Sequence, residues 1–594
     1  MFKILDKVLT MMSHHKQALI FAVIAGFIFF APYWLFILSQ GHNYQDIPFM
    51  QIDDEDIYLA RMQDIVDGHY WLGSPVFYDY KNEPPMVPPV GEYVYVLPAL
   101  LFHIPLTFVL IVSKFVFPFI LFLLIYVFIY QIVDFDVVNK KLTAVAGSLL
   151  VVLGYDLIDY HFLFNVLTGK LNSAGWLLWA RPVNPILGAI FLFAFLLFLI
   201  NALQKNTKRD IFGAGLCLSL MICSYFFSWG MAFSILFILG IIFLIKKEYQ
   251  NIKKLFYIVI SALIFSAPYW YMVFLATKSP WYKDAQKMSG LLHTHQIVIN
   301  KVLLLSLILY SLFFLYQKYA DKRFFNEQWF ILCSAFLIGG LWAFNQQIFT
   351  GIAIWPFHFT QYSIPLALLS LLLLFYYIFR QHIFIWQDSL VLLIIVCIFY
   401  GIFAQSKVYI NYYDKYSSYQ SYSSMFNYLN NNTAKDSVIL VKERGEDLTR
   451  LIPALTHNNV YVSSYRFTLI PEAKQRFRHN YMVLLRLKNI APEVLADYLA
   501  QNREEALTYL SDNWYLMLHN DYFGKADESY FNQVLNSLNN DYKYFYNKDF
   551  KQELKKYRLD YILSDGELAN DLVKELPGLQ LKFYDNNFYL YELN

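Results

Sequence analysis

The chain has 594 residues, of which 58% are hydrophobic and 19% aromatic, and its mean hydropathy is +0.39. This composition is far more apolar than that of a soluble domain. The net charge of +2 is divided between two sets of loops, so it does not indicate a nucleic-acid partner. All four cysteines lie in apolar stretches, which favours neither a disulfide framework nor a zinc site.

Many apolar runs are long enough to cross the ~30 Å core of a bilayer, which takes about 20 helical residues. The first run, 17–38, is long for a signal peptide and lacks an A-x-A end, so we expect a membrane helix there. We predict a polytopic α-helical membrane protein with about 11 transmembrane helices. The predicted spans are 17–38, 107–132, 142–158, 183–203, 211–228, 231–246, 254–275, 298–316, 327–344, 361–379 and 388–405.

Charge is distributed unevenly between alternate loops. The short loops near 140, 205–209, 246–254 and 318–323 are rich in lysine and arginine, which the positive-inside rule places in the cytoplasm. The N-terminus is then cytoplasmic, and the alternate loops and the C-terminal part lie outside. Phe, Tyr, Ile, Lys and Asn are abundant, as in AT-rich bacterial genomes, so we expect a multi-pass protein of a bacterial inner (plasma) membrane.

The stretch 39–106, called the acidic loop below, is the first predicted outer loop. It contains the run Asp53-Asp54-Glu55-Asp56 followed by Tyr58. Adjacent carboxylates repel one another, so four of them beside a membrane favour a functional site, with a solvated acidic loop as the alternative. Residues 55–66 have helical spacing and predict a short helix along the membrane surface. Its N-terminal end suits carboxylates, so helix capping is another role for Asp53 or Asp54.

Further polar residues fall on the same predicted outer face. Asp156 and Asp159 end the third span, Arg181 precedes the fourth, and His358 lies between the ninth and tenth. Ionisable residues at membrane edges often only extend their charge to water. Their collection on the side of the acidic loop favours a shared site.

Beyond residue 405 the chain becomes polar. Strands predicted at 437–441, 460–462, 560–563, 579–581 and 587–593 alternate with helical stretches at 471–479, 492–510 and 567–576. The alternation predicts a small α/β domain after a Tyr/Ser-rich linker at 412–424. We therefore divide the chain into a transmembrane domain, 1–405, and a linker with an extracytoplasmic α/β domain, 406–594. The latter lacks recognisable catalytic spacing, so we expect it to shape the substrate site.

One family combines these features. Asp54-Glu55-x-x-Tyr58 opens the long loop after the first helix, and Pro84-Pro85, Pro88-Pro89-x-Gly91-x-Tyr93 follow in the same loop. This layout resembles the GT-C superfamily of polyprenyl-phosphate-dependent glycosyltransferases. The superfamily includes protein O-mannosyltransferases, aminoarabinose lipid A transferases and oligosaccharyltransferase catalytic subunits. Its first acid is best matched by Asp54.

The resemblance implies inverting transfer of a sugar from a polyprenyl-(di)phosphate to a lipid, glycan or protein acceptor. Asp54, with Glu55, would be the catalytic pair, since the acceptor must lose a proton as it attacks. Arg181, with His358 or Lys170, would bind the donor phosphate. Candidate substrate or metal contacts are Tyr58, Glu92, Asp156 and Asp159.

The need for a metal depends on the leaving group. A diphosphate would favour Mg²⁺ or Mn²⁺ held by Asp54 with Asp156 or Asp159, because these ions prefer oxygen ligands. With a monophosphate, arginine alone suffices.

Two other classes fit a many-helix chain with polar outer loops. A flippase or transporter for lipids or polysaccharides should carry charges or Gly/Pro breaks near mid-span in related positions of two halves. The prolines at 32, 118 and 268 show no such pairing. A non-enzymatic envelope scaffold would need no clustered acids near the membrane.

The charge distribution leads to a topological prediction. A reporter fused after Asn594 should be active only outside the cytoplasm, because the basic loops hold the opposite face inside. Paired periplasmic and cytoplasmic reporters measure this. Activity of the cytoplasmic reporter alone would contradict the placement of the acidic loop.

Overall fold

A computed structural model gives the fold. It describes residues 13–51, 54–133, 137–158, 164, 168, 177–205, 207–320, 327–379, 382–442, 445–464, 470–510, 513–525, 527–585 and 587–593. The helices up to residue 419 are α1 Lys16–Gln40, α2 Glu55–Val66, α3 Val90–Phe102, α4 Leu106–Ile132, α5 Val137–Val152, α6 Ile186–Lys205, α7 Lys208–Ser224, α8 Phe226–Ile245, α9 Tyr249–Phe265, α10 Ala267–Ala276, α11 Tyr282–Met288, α12 Lys301–Ala320, α13 Gln328–Phe344, α14 Gln347–Thr350, α15 Pro356–Phe379 and α16 Ile383–Tyr419.

The protein is a multi-pass membrane protein. In the described ranges, six helical segments are long and apolar enough to span a bilayer: α1, α4, α6, α8, α15 and α16 with its continuation. The pair α9 and α10, bent by 57°, makes up to seven. A helix lies at each of the eleven predicted positions, but several are short. The 16 residues of α5 reach only about 24 Å, less than the bilayer core.

The acidic loop contains two helices, as its spacing predicted. Helix α2 begins at Glu55, and α3 follows the proline-rich segment. However, α2 is not exposed to solvent, because residues on all sides of it, including Ile57, Tyr58 and Leu59, are buried within the protein. The C-terminal part of the chain, residues 423–593, covers α2, and its helix Gly445–Leu455 packs directly against it.

The C-terminal part contains a five-stranded mixed sheet, with a strand at each predicted position. The strands of the whole chain are β1 Leu292–His293, β2 Ile352–Ala353, β3 Val438–Val441, β4 Asn459–Val460, β5 Tyr561–Ser564, β6 Leu579–Tyr584 and β7 Tyr589–Leu593. The sheet order is β4-β3-β5-β7-β6, with β3 parallel to β4 and β5, and β7 antiparallel to β5 and β6. Strands β1 and β2 form a separate antiparallel pair.

Helices surround this sheet. They are α17 Ser423–Asn432, α18 Gly445–Leu455, α19 Lys474–Leu487, α20 Leu495–Gln501, α21 Arg503–Leu510, α22 Asn513–Tyr522, α23 Glu528–Tyr546, α24 Phe550–Leu554 and α25 Asn570–Glu575. The segment 412–424, expected as a linker, is helical: α16 runs to Tyr419, and a 3₁₀ turn, Gln420–Tyr422, leads into α17.

Both faces of the inner strand β3 are buried, and they belong to different cores. Along β3, Ile439 and Val441 join the core that continues into the membrane helices. Val438 and Leu440 point into a second core formed by the C-terminal helices. Because side chains alternate along a strand, one strand can serve both cores. The sheet is therefore the layer that joins the two parts of the chain.

Hydrogen bonds and a buried cation attach the C-terminal part to the acidic loop. The Val460 amide donates to the Val76 carbonyl at 3.0 Å, and the Ser74 hydroxyl donates to Glu472 at 2.6 Å. Arg476, only 1% exposed, lies 3.8 Å from the ring centre of Tyr557 and 3.3 Å from the Asp79 carboxylate. These contacts fix the loop between the membrane helices and the sheet.

Arg476→Ala should destabilise this attachment. Loss of a desolvated cation–π contact and of the charge facing Asp79 should lower the free energy of unfolding by about 3 kcal/mol. Arg478→Ala, on the same helix, is the matched control. Its exposed pair with Asp541 should contribute at most about 1 kcal/mol. Thermal unfolding in detergent and protease cleavage within the acidic loop measure both. Equal effects of the two variants would contradict the proposed role of Arg476.

Candidate functional site

Asp54 and Arg181 form the centre of the candidate site. Asp54 precedes the first residue of α2, but its side chain caps no backbone amide there. Its carboxylate instead forms an ion pair with the Arg181 guanidinium, with side chains 22% and 15% exposed. The guanidinium carbon lies 5.5 Å from the centre of the Tyr58 ring. Asp54, the predicted base, and Arg181, the predicted phosphate-binding residue, are thus in direct contact.

The backbone around Arg181 is held from both sides. The Trp179 indole donates to the Val151 carbonyl at 2.8 Å, and the Val183 amide donates to the Tyr95 hydroxyl at 2.9 Å. Close packing adds to this, because a Cβ on Gly91 would come within 2.6 Å of Val183. The proline-rich end of the acidic loop therefore helps to position Arg181.

Glu55, predicted to act with Asp54, is completely buried and fully engaged. Its Oε1 accepts hydrogen bonds from the Tyr33 hydroxyl and the Gln51 amide, both at 2.9 Å. Its Oε2 lies 2.7 Å from the Lys114 ammonium. A carboxylate with these partners and 0% exposure is placed to hold structure together rather than to meet a substrate.

The next acid, Asp56, faces the C-terminal part. Both of its oxygens accept hydrogen bonds from the Arg450 guanidinium, at 2.6 and 3.0 Å. Burial raises the pKa of Asp56 to about 7, even though the Arg450 charge opposes this shift. Asp56 therefore joins the loop to helix α18.

Glu92, predicted as a substrate or metal contact, is also paired internally. Its Oε1 lies 2.6 Å from the Nε of Arg61, and both side chains are at most 5% exposed. This pair joins α2 to α3.

Tyr225 and His358 lie beside the central ion pair. The Tyr225 hydroxyl is 2.7 Å from Nδ1 of His358, which lies in the first turn of α15. Tyr225 also lies close enough to Arg181 and Asp54 to interact electrostatically with both. The sequence analysis missed Tyr225. Tyr225 is the single residue between the apolar helices α7 and α8, and this position is the signal that could have identified it.

The other predicted residues are dispersed or outside the described ranges. Asp156 accepts a hydrogen bond from the Tyr400 hydroxyl of α16 at 2.9 Å. The structure thus ties it to the last membrane helix rather than to Asp54. Asp53, Asp159 and Lys170 lie outside the described residues.

A metal-type cluster lies at the other end of α2. Within the described ranges, Asp64, His69 and Asp436 are the group of three whose ligand atoms all lie within 4.8 Å. The Lys81 ammonium pairs with Asp64 and lies 3.5 Å from Asp436, so a cation already neutralises these carboxylates. A groove of about 680 Å³ adjoins the cluster and is lined in part by His69, Lys81 and Tyr271. Asp54 and Arg181 do not line it.

No protein-family model matches the chain, and no curated protein matches it in sequence. Its backbone is similar to an apo oligosaccharyltransferase from Archaeoglobus fulgidus (12% identity, 98% of this chain and 74% of that one, TM-score 0.45). The oligosaccharyltransferase AglB of that organism, in complex with an inhibitory peptide and a dolichol-phosphate, matches at 13% identity, over 98% and 74%, with a TM-score of 0.46. ArnT from Cupriavidus metallidurans, bound to undecaprenyl phosphate, matches at 10% identity, over 97% of both chains, with a TM-score of 0.44.

The cluster around Asp436 predicts a pH-dependent stability. Burial alone would raise the pKa of Asp436, but the His69 hydrogen bond and the Lys81 charge outweigh it and lower the pKa to about 2. A depressed carboxyl pKa stabilises the fold above the unfolded pKa of about 4 and loses this effect as the pH falls towards 2. At pH 5, Asp436→Asn should therefore lower the free energy of unfolding by about 2 kcal/mol.

Unfolding of both proteins at pH 5 and near pH 2 checks this, and the difference should shrink at the lower pH. Asp571→Asn, whose side chain is 97% exposed, is the control and should show no such change. A difference for Asp436→Asn that stays constant with pH would refute the assignment.

Proposed function

We propose that this protein is a membrane glycosyltransferase of the GT-C type. It would move a sugar from a polyprenyl-(di)phosphate donor to an acceptor on the outer face of the membrane. The observation that carries the proposal is the contact between Asp54 and Arg181. A partly exposed carboxylate and a partly exposed guanidinium meet where the acidic loop joins the apolar helices.

Asp54 is the described acid of the run that a substrate can reach. Glu55 is enclosed by Tyr33 and Lys114, and Asp56 is paired with Arg450. As the acceptor attacks the anomeric carbon, its hydroxyl or amide must release a proton, and Asp54 would receive it as the general base. Attack opposite the departing phosphate inverts the configuration at that carbon.

Arg181 would bind the phosphate of the donor. Its fixed charge would offset the negative charge that grows on the leaving oxygen. A bound phosphate would also compete with Asp54 for the guanidinium. Donor binding would then free the carboxylate to accept a proton, so the resting ion pair couples donor binding to the availability of the base. Tyr225 and His358 line the same place.

A diphosphate donor would call for Mg²⁺ or Mn²⁺ held by Asp54 with Asp156 or Asp159. Asp54 pairs with Arg181 and Asp156 accepts a hydrogen bond from Tyr400, whereas Asp159 lies outside the described residues. We derive no step of the reaction through a metal.

The proposal also includes the finer features expected from the sequence. These are eleven spans, a cytoplasmic N-terminus, a transmembrane domain followed by an extracytoplasmic one, and a lipid, glycan or protein acceptor. The packing of α18 against the buried helix α2 supports a shaping role for the C-terminal part.

Asp54→Asn should lower turnover by about 10²–10⁴-fold, the usual contribution of a general base. The amide keeps the size of the side chain but cannot take the proton. Transfer from a radiolabelled polyprenyl-phosphate sugar in membranes, at equal expression, measures this. Donor-lipid binding should not weaken, because the phosphate no longer competes with the Asp54 charge for Arg181. Arg181→Ala should weaken donor binding, because that cation faces the phosphate in ground and transition states alike.

Asp67→Asn is the matched control. Asp67 ends the same helix and accepts a hydrogen bond from Gln63, so this variant should retain near-normal turnover. If Asp54→Asn transfers sugar as fast as the control, Asp54 is not the base. If wild-type membranes transfer no sugar from any polyprenyl-phosphate donor offered, the proposed function fails.

A further inference from the structure

A buried lysine inside a membrane helix contacts both halves of the candidate site. Lys114 lies near the N-terminal end of α4 and is 3% exposed. Its ammonium is 2.7 Å from Oε2 of Glu55 and 2.6 Å from the carbonyl oxygen of Ala180. It also lies 5.2 Å from the centre of the Tyr33 ring, whose hydroxyl donates to the same Glu55 carboxylate.

The two contacts of Lys114 are immediate chain neighbours of the central ion pair. Glu55 follows Asp54, and Ala180 precedes Arg181. These stretches are far apart in sequence, and one comes from the acidic loop while the other leads into α6. A single ammonium thus ties together the two backbone segments that carry Asp54 and Arg181.

Stability alone does not explain this arrangement. A charged side chain in a membrane helix is costly, and a buried ion pair is often no more stabilising than apolar residues of similar size. Lys114 adds a fixed geometry, because its ammonium donates at the same time to the Glu55 side chain and to the Ala180 backbone carbonyl. An apolar pair would fill the space but could not bind the Ala180 carbonyl.

We propose that Lys114 is a positioning residue that sets the relative position of Asp54 and Arg181 through Glu55 and Ala180. Its effect on transfer rests on the proposed function. Its effect on the distance between the two segments does not, so the positioning role and the glycosyltransferase function can be refuted separately.

The first experiment separates positioning from folding. Lys114→Met alone would leave Glu55 buried without its cation, so the test variant is Lys114→Met/Glu55→Gln, which removes both charges while the side-chain amide oxygen still accepts from the Tyr33 hydroxyl and the Gln51 amide. This double variant should keep the thermal stability of the wild type, yet transfer sugar about 10²-fold more slowly, the loss expected when reacting groups are misplaced by about 1 Å. Wild-type turnover in a stable double variant would overturn the proposal.

The same double change in the Asp54→Asn background tests whether Lys114 acts through Asp54. Because both changes affect one pair, little further loss of turnover should follow. A second loss of full size would place the action of Lys114 elsewhere and overturn the proposal.

The second experiment needs no substrate. In a background in which Cys217, Cys223, Cys333 and Cys397 are replaced, Asp54→Cys and Arg181→Cys are joined by a short bifunctional thiol reagent. Cross-linking should be several-fold slower once Lys114→Met/Glu55→Gln is added. An unchanged rate would overturn the proposal. A slower rate together with an inactive wild type would instead support the positioning role and reject only the glycosyltransferase function.

Discussion

The charges of helix α2 constrain the whole molecule. Asp54 at its start and the buried ionisable residues within it each have an opposite charge from another segment. The pairs are Asp54 with Arg181, Glu55 with Lys114, Asp56 with Arg450, Arg61 with Glu92, and Asp64 with Lys81. Removing one partner of a buried pair typically destabilises a protein by about 3–5 kcal/mol. The segments that supply these partners must therefore all meet at α2 in one arrangement.

This arrangement explains why the C-terminal part belongs to the site although it supplies no residue to the central pair. Arg450 neutralises Asp56, two positions after Asp54, and α18 packs along α2. At the other end of α2, Asp436 meets His69 and Lys81. The C-terminal part thus holds both ends of the helix whose start carries Asp54. In the proposed reaction, its contribution would be to keep that start in place.

The same pairs divide the acids into two kinds. Those with fixed partners in the interior, Glu55 and Asp64 among them, hold elements together. Asp54 differs because its partner is also partly exposed, so both members remain accessible to a substrate. Repulsion within a run of acids is thereby relieved by sending neighbouring carboxylates to different cations. The described acids of the run, Asp54, Glu55 and Asp56, are therefore not equivalent to one another.

The sequence alone determined the properties that depend on local pattern. Hydropathy placed a helix at each of eleven positions, and alternation located all five strands of the mixed sheet. Helix α2 was also predicted from spacing, because periodicity is a property of neighbouring residues. Amphipathic but strongly polar helices such as α23, Glu528–Tyr546, were missed, since tyrosine and asparagine mask their apolar face.

Only the tertiary structure decided which residues form the site. The sequence singled out Asp54, Arg181 and His358 but could not pair them, because each lies in a different segment. It treated Glu55 and Asp54 alike, although burial separates them completely. It gave no reason to notice Lys114, a single lysine in an apolar run. Burial and charge pairing depend on which distant segments cover a residue, and that information exists only once the chain has folded.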